Sequence, residues 1–338
     1  MNPVNSAPGN SVAIVITEVV AMGGAERSCL GLARWLYEHG IDNHILTYVD
    51  SVGLERFTSH PLKVIQLKPR MDARHKIGAL RAYFNMRGAA PKPIMSGYQP
   101  ALHAALAGLK GFHCLMHDTP SLFGDAAAPK PLKKRIGRVA SNLAISRGLK
   151  SGGRTIVTSE YLKAETRRVF GVEAEIARMG GMSQGIAFRP RPVAGKLRML
   201  SVSRVEANKR IDWIVRSLAR LEQASIPLST KVDWRLDVAG KGSELGPMRD
   251  LTAQLGLAGR IEFHGFVSDE DLEHLYGTAD LFLMPAVQGY GIPAIESLSR
   301  GIPVLLHRES GVSDILLETA WATVMEGGED ALAPAMAL

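Results

Sequence analysis

The chain has 338 residues, 46% of them hydrophobic, and a formal net charge of +7. That composition excludes a disordered or fibrous protein, and the length suits two domains better than one. Two cysteines, Cys29 and Cys114, are too few for a disulfide framework, and no stretch approaches the roughly 18 apolar residues that span a bilayer.

Val12 to Ile16 is an apolar run with no basic residue ahead of it and Glu18 behind it, so it predicts a first buried strand rather than a signal peptide. Cys29, Leu32, Ala33, Leu36 and Tyr37 then recur at helical spacing, predicting a helix over about 25–38 that stops at Gly40. Gly23 and Gly24 form the turn between them, a backbone nest suited to an anion, although such a pair taken alone is more often structural. The dinucleotide pattern Gly-x-Gly-x-x-Gly is absent. Further strands are predicted at 43–49, 62–67, 93–96, 111–116 and 155–158, with helices at 75–87, 101–109 and 132–150. This alternation implies a parallel sheet whose ligand crevice lies at the carboxyl ends of its strands. His117 stands at one such end, where a lone histidine is more often structural than functional.

Charge is concentrated in the first half. Eight lysines and arginines lie between Lys63 and Lys92 against the single acid Asp72, and eight more lie between Lys130 and Arg154 with no acid. An anionic membrane surface fits two such runs best, each cation near it contributing ~1 kcal/mol. Nucleic acid fits poorly, because zinc spacings and aromatic ladders are missing. The expected location is cytoplasmic, at most peripheral to a membrane.

From Gly171 to Lys196 the pattern is irregular, with Gly180, Gly181, Gly185, Pro190 and Pro192, and reads as a linker. Alternation then restarts, with strands at 197–203, 234–239, 260–264 and 280–284 and helices at 211–221, 248–255 and 269–276. Arg204 and Lys209 follow the first of these strands and suit a grip on a diphosphate, the guanidinium bidentately and the ammonium as a point charge. After the last strand comes a loop with Gly289 and Gly291, then a helix start at Pro293. Glu296 lies one turn in, where its carboxylate could accept hydroxyls of a ligand whose phosphates meet the helix dipole. A sugar nucleotide has that layout.

Gln288-Gly289-Tyr290-Gly291-Ile292-Pro293-Ala294-Ile295-Glu296, followed by Gly301-Ile302-Pro303-Val304, resembles the Glu-Gly-Phe-Gly-x-Pro-x-x-Glu signature of family-four retaining glycosyltransferases. Glutamine stands where that family has its first glutamate. Gly23-Gly24-Ala25-Glu26-Arg27, His117-Asp118, Ser159 with Lys163, Arg204 with Lys209, Gly240-Lys241-Gly242 and Gly265-Phe266-Val267 resemble the family's other motifs. The resemblance implies an α/β protein of GT-B fold, with two doubly wound Rossmann-like domains facing each other across a cleft. They would be 1–175 on the acceptor side, a linker at 176–196, and 197–338 for the donor. It also implies metal-independent transfer, with retention, from a UDP- or GDP-linked sugar to a polysaccharide or lipid-linked acceptor, without a cofactor. In that scheme Gly23 and Gly24 approach the diphosphate that Arg204 and Lys209 stabilise, and His117 contacts the donor sugar. Phe266 and Val267 meet the base through their backbone, and Gly289, Tyr290, Gly291 and Ile292 form the phosphate turn. Glu296 holds the ribose, and Gln288 meets the sugar without a negative charge. The alternatives are a paralogue that binds donor without turnover, a sugar-nucleotide epimerase and, least favoured, a nicotinamide oxidoreductase.

Overall fold

The structure, a computed structural model, describes residues 11–87, 92–120, 132–179, 188, 190, 195–223 and 233–336. The chain divides into two compact units, Met1–Gly181 and Met182–Leu338. In the first unit the elements run β1 (Val12–Val15), β2 (Glu18–Val19), α1 (Gly24–Glu38), β3 (Asn43–Thr47), β4 (Val49–Asp50), β5 (Val64–Gln66) and α2 (Ala73–Arg87). They continue through β6 (Lys92–Ser96), α3 (Tyr98–Leu106), β7 (His113–Met116), α4 (Leu132–Leu149), β8 (Thr155–Val157), α5 (Glu160–Phe170) and β9 (Glu175–Ile176). Seven of these strands make one parallel sheet in the order β5-β3-β1-β6-β7-β8-β9, and β2 pairs separately with β4.

Strand periodicity explains why both faces of this sheet are covered. Ala13 and Val15 point to one side, packing with Leu80, Tyr83, Ala101 and Ile145 of α2, α3 and α4, whereas Ile14 and Ile16 pack with Cys29, Leu30, Ala33 and Leu36 of α1. A strand buried on both sides has no polar face, hence the unbroken apolar run. The third helix starts at Tyr98, earlier than the predicted 101, because Pro100 is tolerated in a first turn. It ends by Ala107, where Gly108 turns to a φ of 78°. Ile176 belongs to the sheet, paired with Val157, and not to the expected linker. Most of the remaining linker stretch, 180–187, 189 and 191–194, lies outside the described residues, as do residues 121–131.

The second unit repeats the plan with β10 (Leu197–Val202), α6 (Ile211–Gln223), β11 (Trp234–Ala239), α7 (Leu245–Gln254), β12 (Ile261–Gly265), α8 (Asp269–Thr278) and β13 (Leu281–Met284). It closes with α9 (Ile292–Ser299), β14 (Val304–His307), α10 (Ser313–Leu316), β15 (Ala322–Met325) and α11 (Leu332–Met336). The parallel order is β12-β11-β10-β13-β14-β15. On α6, Ile211, Ile214, Val215 and Leu218 recur at one-face spacing and are buried against Leu236, Val238 and Leu283 of the sheet. Each such side chain contributes about 1.5–3 kcal/mol on burial. The chain winds outward from β10 to β12 and then returns to β13 on the other side, so strand order reverses between β10 and β13. The loops leaving those two strands flank a topological switch point, the place where open α/β sheets take ligands.

Candidate functional site

Residues 203–210 leave β10 and 285–291 leave β13, and hydrogen bonds lace the two loops together. Val287 N–H donates to the Asn208 carbonyl at 2.9 Å, and Asn208 Nδ2 returns a bond to the Val287 carbonyl at 3.0 Å. Lys209 Nζ donates to Gln288 Oε1 at 2.6 Å. Arg210, in a left-handed conformation at φ 54°, stacks 4.1 Å over Trp213, donates to the Pro285 carbonyl at 3.3 Å and pairs with Glu309 at 2.6 Å. Two of the predicted residues, Lys209 and Gln288, are therefore in direct contact. Arg204 is exposed on the same loop.

Two glycines let a third turn approach from β11. A Cβ on Gly240 would lie 1.8 Å from the Ser203 carbonyl oxygen, and one on Gly242 would lie 2.0 Å from that of Val205. Both positions therefore demand glycine for contact with the loop that carries Arg204. Ser243 reinforces the contact by donating through N–H and Oγ to Glu206, at 3.2 and 2.7 Å, and these bonds pull the Glu206 pKa below its ordinary value. Phe266 is 75% exposed, with Lys241 Nζ 5.5 Å from its ring centre, while Val267 is half-buried.

The loop after β13 is largely buried from Pro285 to Val287 and from Gly289 to Gly291. Gly291 caps α9 at φ 124°, and a Cβ there would come within 2.9 Å of Gln288 Nε2. Glycine is thus required both by conformation and by space, and it leaves Ile292 and Pro293 to open the helix. One turn in, Glu296 accepts from the Tyr276 hydroxyl at 3.1 Å. Tyr276 is buried, and burial followed by the nearby Glu296 charge raises its pKa. Arg300 lies over the tyrosine ring at 4.5 Å and donates to the Glu296 carbonyl at 2.7 Å, so the helix end and the carboxylate are braced together. Tyr276, Ser310 and Asn208 were missed by the sequence reading, which had no local pattern to find them by.

In the first unit the glycine pair opens α1. The Gly23 amide donates to Glu26 Oε2 at 3.0 Å, so an anion arriving there would have to displace that carboxylate. His117 follows β7, and its Nε2 is 3.2 Å from Ser96 Oγ, which also accepts from the Cys29 thiol at 3.1 Å. The Ser96 hydroxyl, already accepting from Cys29, can still either donate to Nε2 or accept from it. Nδ1 is buried without a hydrogen-bond partner. Burial lowers the His117 pKa, so the ring is neutral near pH 7, and burial pushes the Cys29 thiol up to about 12.

The one grouping among the described residues that could hold a metal ion is Asp237, Glu262 and His264, on the neighbouring strands β11 and β12. Asp237 accepts from His264 at 2.7 Å, and Arg235 pairs with both carboxylates, offsetting part of their charge. The sheet face that carries Asp237 and His264 lines a cavity of about 280 Å³ with Lys196, Arg198 and His274.

Residues 186–337, nearly all of the second unit, match the family of Glycosyl transferases group 1. The GDP-mannose-dependent alpha-(1-6)-phosphatidylinositol monomannoside mannosyltransferase of Mycolicibacterium smegmatis is 27% identical over 261 residues, 65% of this chain and 67% of that protein. An uncharacterized glycosyltransferase of Methanocaldococcus jannaschii is 29% identical over 119 residues, 35% of this chain and 29% of its own length. Among solved structures, HepE of Anabaena in complex with UDP and glucose aligns at TM-score 0.71 and 14% identity, over 97% of this chain and 89% of that one. The shared architecture of two Rossmann-like units with parallel sheets is the GT-B fold.

Proposed function

We propose that this protein is a glycosyltransferase that moves a sugar from a nucleotide diphosphate sugar to a saccharide or lipid-linked acceptor, a reading supported by the family match of its second unit. Transfer proceeds with retention and without a catalytic metal. The observation that carries this reading is the pair of laced loops at the second unit's switch point, which bring Lys209 onto Gln288 three residues ahead of the glycine that opens α9. As the bond from sugar to diphosphate breaks, negative charge grows on the leaving group. Arg204, Lys209 and the amides at the α9 start stabilise that charge in place, the kind of effect that usually supplies the largest share of a rate enhancement. The diphosphate itself takes the acceptor proton, so no separate base is needed. Glu296 accepts from the ribose hydroxyls, and Phe266 and Val267 receive the base. His117, neutral near pH 7, is assigned to the donor sugar.

The M. smegmatis relative, whose name gives GDP-mannose as its donor and a phosphatidylinositol mannoside as its acceptor, supports a lipid-linked acceptor here. So does α4, which exposes Ile136, Val139 and Leu143 at 60%, 67% and 49% beside Arg135 and Arg147. An apolar stripe within a basic helix suits an anionic membrane surface. The reading is tested by offering the purified protein a panel of UDP- and GDP-sugars with a membrane extract. The expected result is acceptor-dependent release of nucleoside diphosphate. Neither transfer nor hydrolysis from any donor, with turnover appearing only in Gln288→Glu, would instead make the native chain a donor-binding paralogue.

A further inference from the structure

Both ends of the Gln288 amide are committed. Oε1 accepts from Lys209 Nζ at 2.6 Å, while Nε2 donates to Ser310 Oγ at 3.0 Å and lies 2.8 Å from Met284 Sδ. An ammonium can only donate, so it demands the oxygen end of the amide. Ser310, whose own hydroxyl reaches the Tyr290 carbonyl at 3.4 Å, takes the nitrogen end. Partners on three segments thus hold the amide in one of its two orientations: the end of β13, the loop after β10 and the loop after β14. The backbone of Gln288 is pinned as well, its N–H donating to the Glu309 carbonyl at 3.2 Å and its carbonyl accepting from Gly311 at 3.0 Å.

A carboxylate at 288 would fit the same space and meet the same lysine, but the charge would differ. An amide oxygen orients an ammonium through its dipole and leaves the net positive charge in place. A carboxylate at the same separation forms a neutral pair, whose field at a neighbouring anion is much weaker. We propose that Gln288 is a positioning residue, holding Lys209 for the donor diphosphate while leaving the ammonium charge uncancelled by that contact. The glutamine is then a means of binding the second phosphate, and selectivity for nucleoside diphosphate over monophosphate runs through it. This rests on the donor reading given above.

The test is calorimetry with UDP, GDP, UMP and GMP on the full chain and on the variants Gln288→Glu, Gln288→Met, Lys209→Met and the double Met variant. Thermal melting serves as the folding control. Wild type is expected to prefer one diphosphate over its monophosphate. Gln288→Glu should weaken that diphosphate about tenfold, equal to ~1.4 kcal/mol, while leaving the monophosphate nearly unchanged. Gln288→Met should also weaken the diphosphate, but not further in the Lys209→Met background, because its effect passes through the lysine. A purely structural role would lower the melting temperature and weaken both nucleotides alike. Diphosphate bound as tightly or more tightly by Gln288→Glu overturns the proposal and leaves the donor reading standing, as does a Gln288→Met loss that persists undiminished without Lys209. Wild type binding neither diphosphate overturns both. Should the glutamate variant not fold, Gln288→Met, which buries no charge, decides alone.

Discussion

Gly291 is where conformation and crowding coincide, since its φ of 124° disfavours any side chain and a Cβ would press on Gln288 and Met284. Gly291→Ala is expected to lose about 1–3 kcal/mol from backbone strain, read as a lowered urea midpoint, and to weaken donor binding by shifting the amide. Tyr276→Phe removes the hydroxyl that Glu296 accepts. It should cost ~1 kcal/mol of stability, and it should narrow the preference for a ribonucleoside diphosphate over its 2′-deoxy counterpart by loosening the carboxylate that meets the ribose. An unchanged ratio would separate Glu296 from the ribose. At this scale the sequence shows the glycines, Gln288 and Glu296, because turns and helix starts leave local patterns. It does not show Tyr276, 20 residues from Glu296, or Asn208, 79 residues from Val287, because those partners arrive by tertiary packing.

Among elements, α4 presents an exposed apolar stripe on a basic helix, and α6 the reverse, an apolar face sunk into the second unit's core. Replacing Ile136, Val139 and Leu143 together by serine should leave stability nearly unchanged, because these side chains already face water. The same change is expected to abolish co-flotation with vesicles containing anionic lipid. Retained flotation would assign any membrane affinity to the basic residues alone. The strands were legible as apolar runs, and the long helices as spacing. The helix α3 begins at Tyr98, three residues before the alanine-rich run that marks it in the sequence, and β9 is too short, at two residues, to carry a periodicity.

For the molecule as a whole, acid is the informative perturbation. Burial, assisted by Arg87 and Lys63, lowers the His44 pKa to about 4, and burial also lowers those of His103 and His117. Each is held neutral when folded and takes up a proton more readily when unfolded, near pH 6.5. Their contribution is therefore fully present above that pH and is lost as pH falls through each folded-state value, about 4 for His44. The urea midpoint should drop between pH 7.5 and pH 5, and His44→Gln should flatten part of that slope. A midpoint independent of pH across that window would contradict the buried neutral rings. All three histidines belong to the first unit, so the loss should begin there.

The Cys29 thiol beside Ser96 has a use unrelated to sugar chemistry. Cys29 and Cys114 are both fully buried, both have pKa values pushed up to about 12, and both sit in the first unit, whereas three of the four tryptophans, Trp213, Trp234 and Trp321, sit in the second and only Trp35 in the first. A thiol of that kind reacts only when its surroundings open. Timed alkylation thus reports the breathing of one half of the chain while indole fluorescence is weighted toward the other, so the two halves carry built-in and largely separable reporters. If their unfolding is independent, thiol labelling and the fluorescence change will have separate midpoints, and acid pH will shift the labelling midpoint toward lower denaturant.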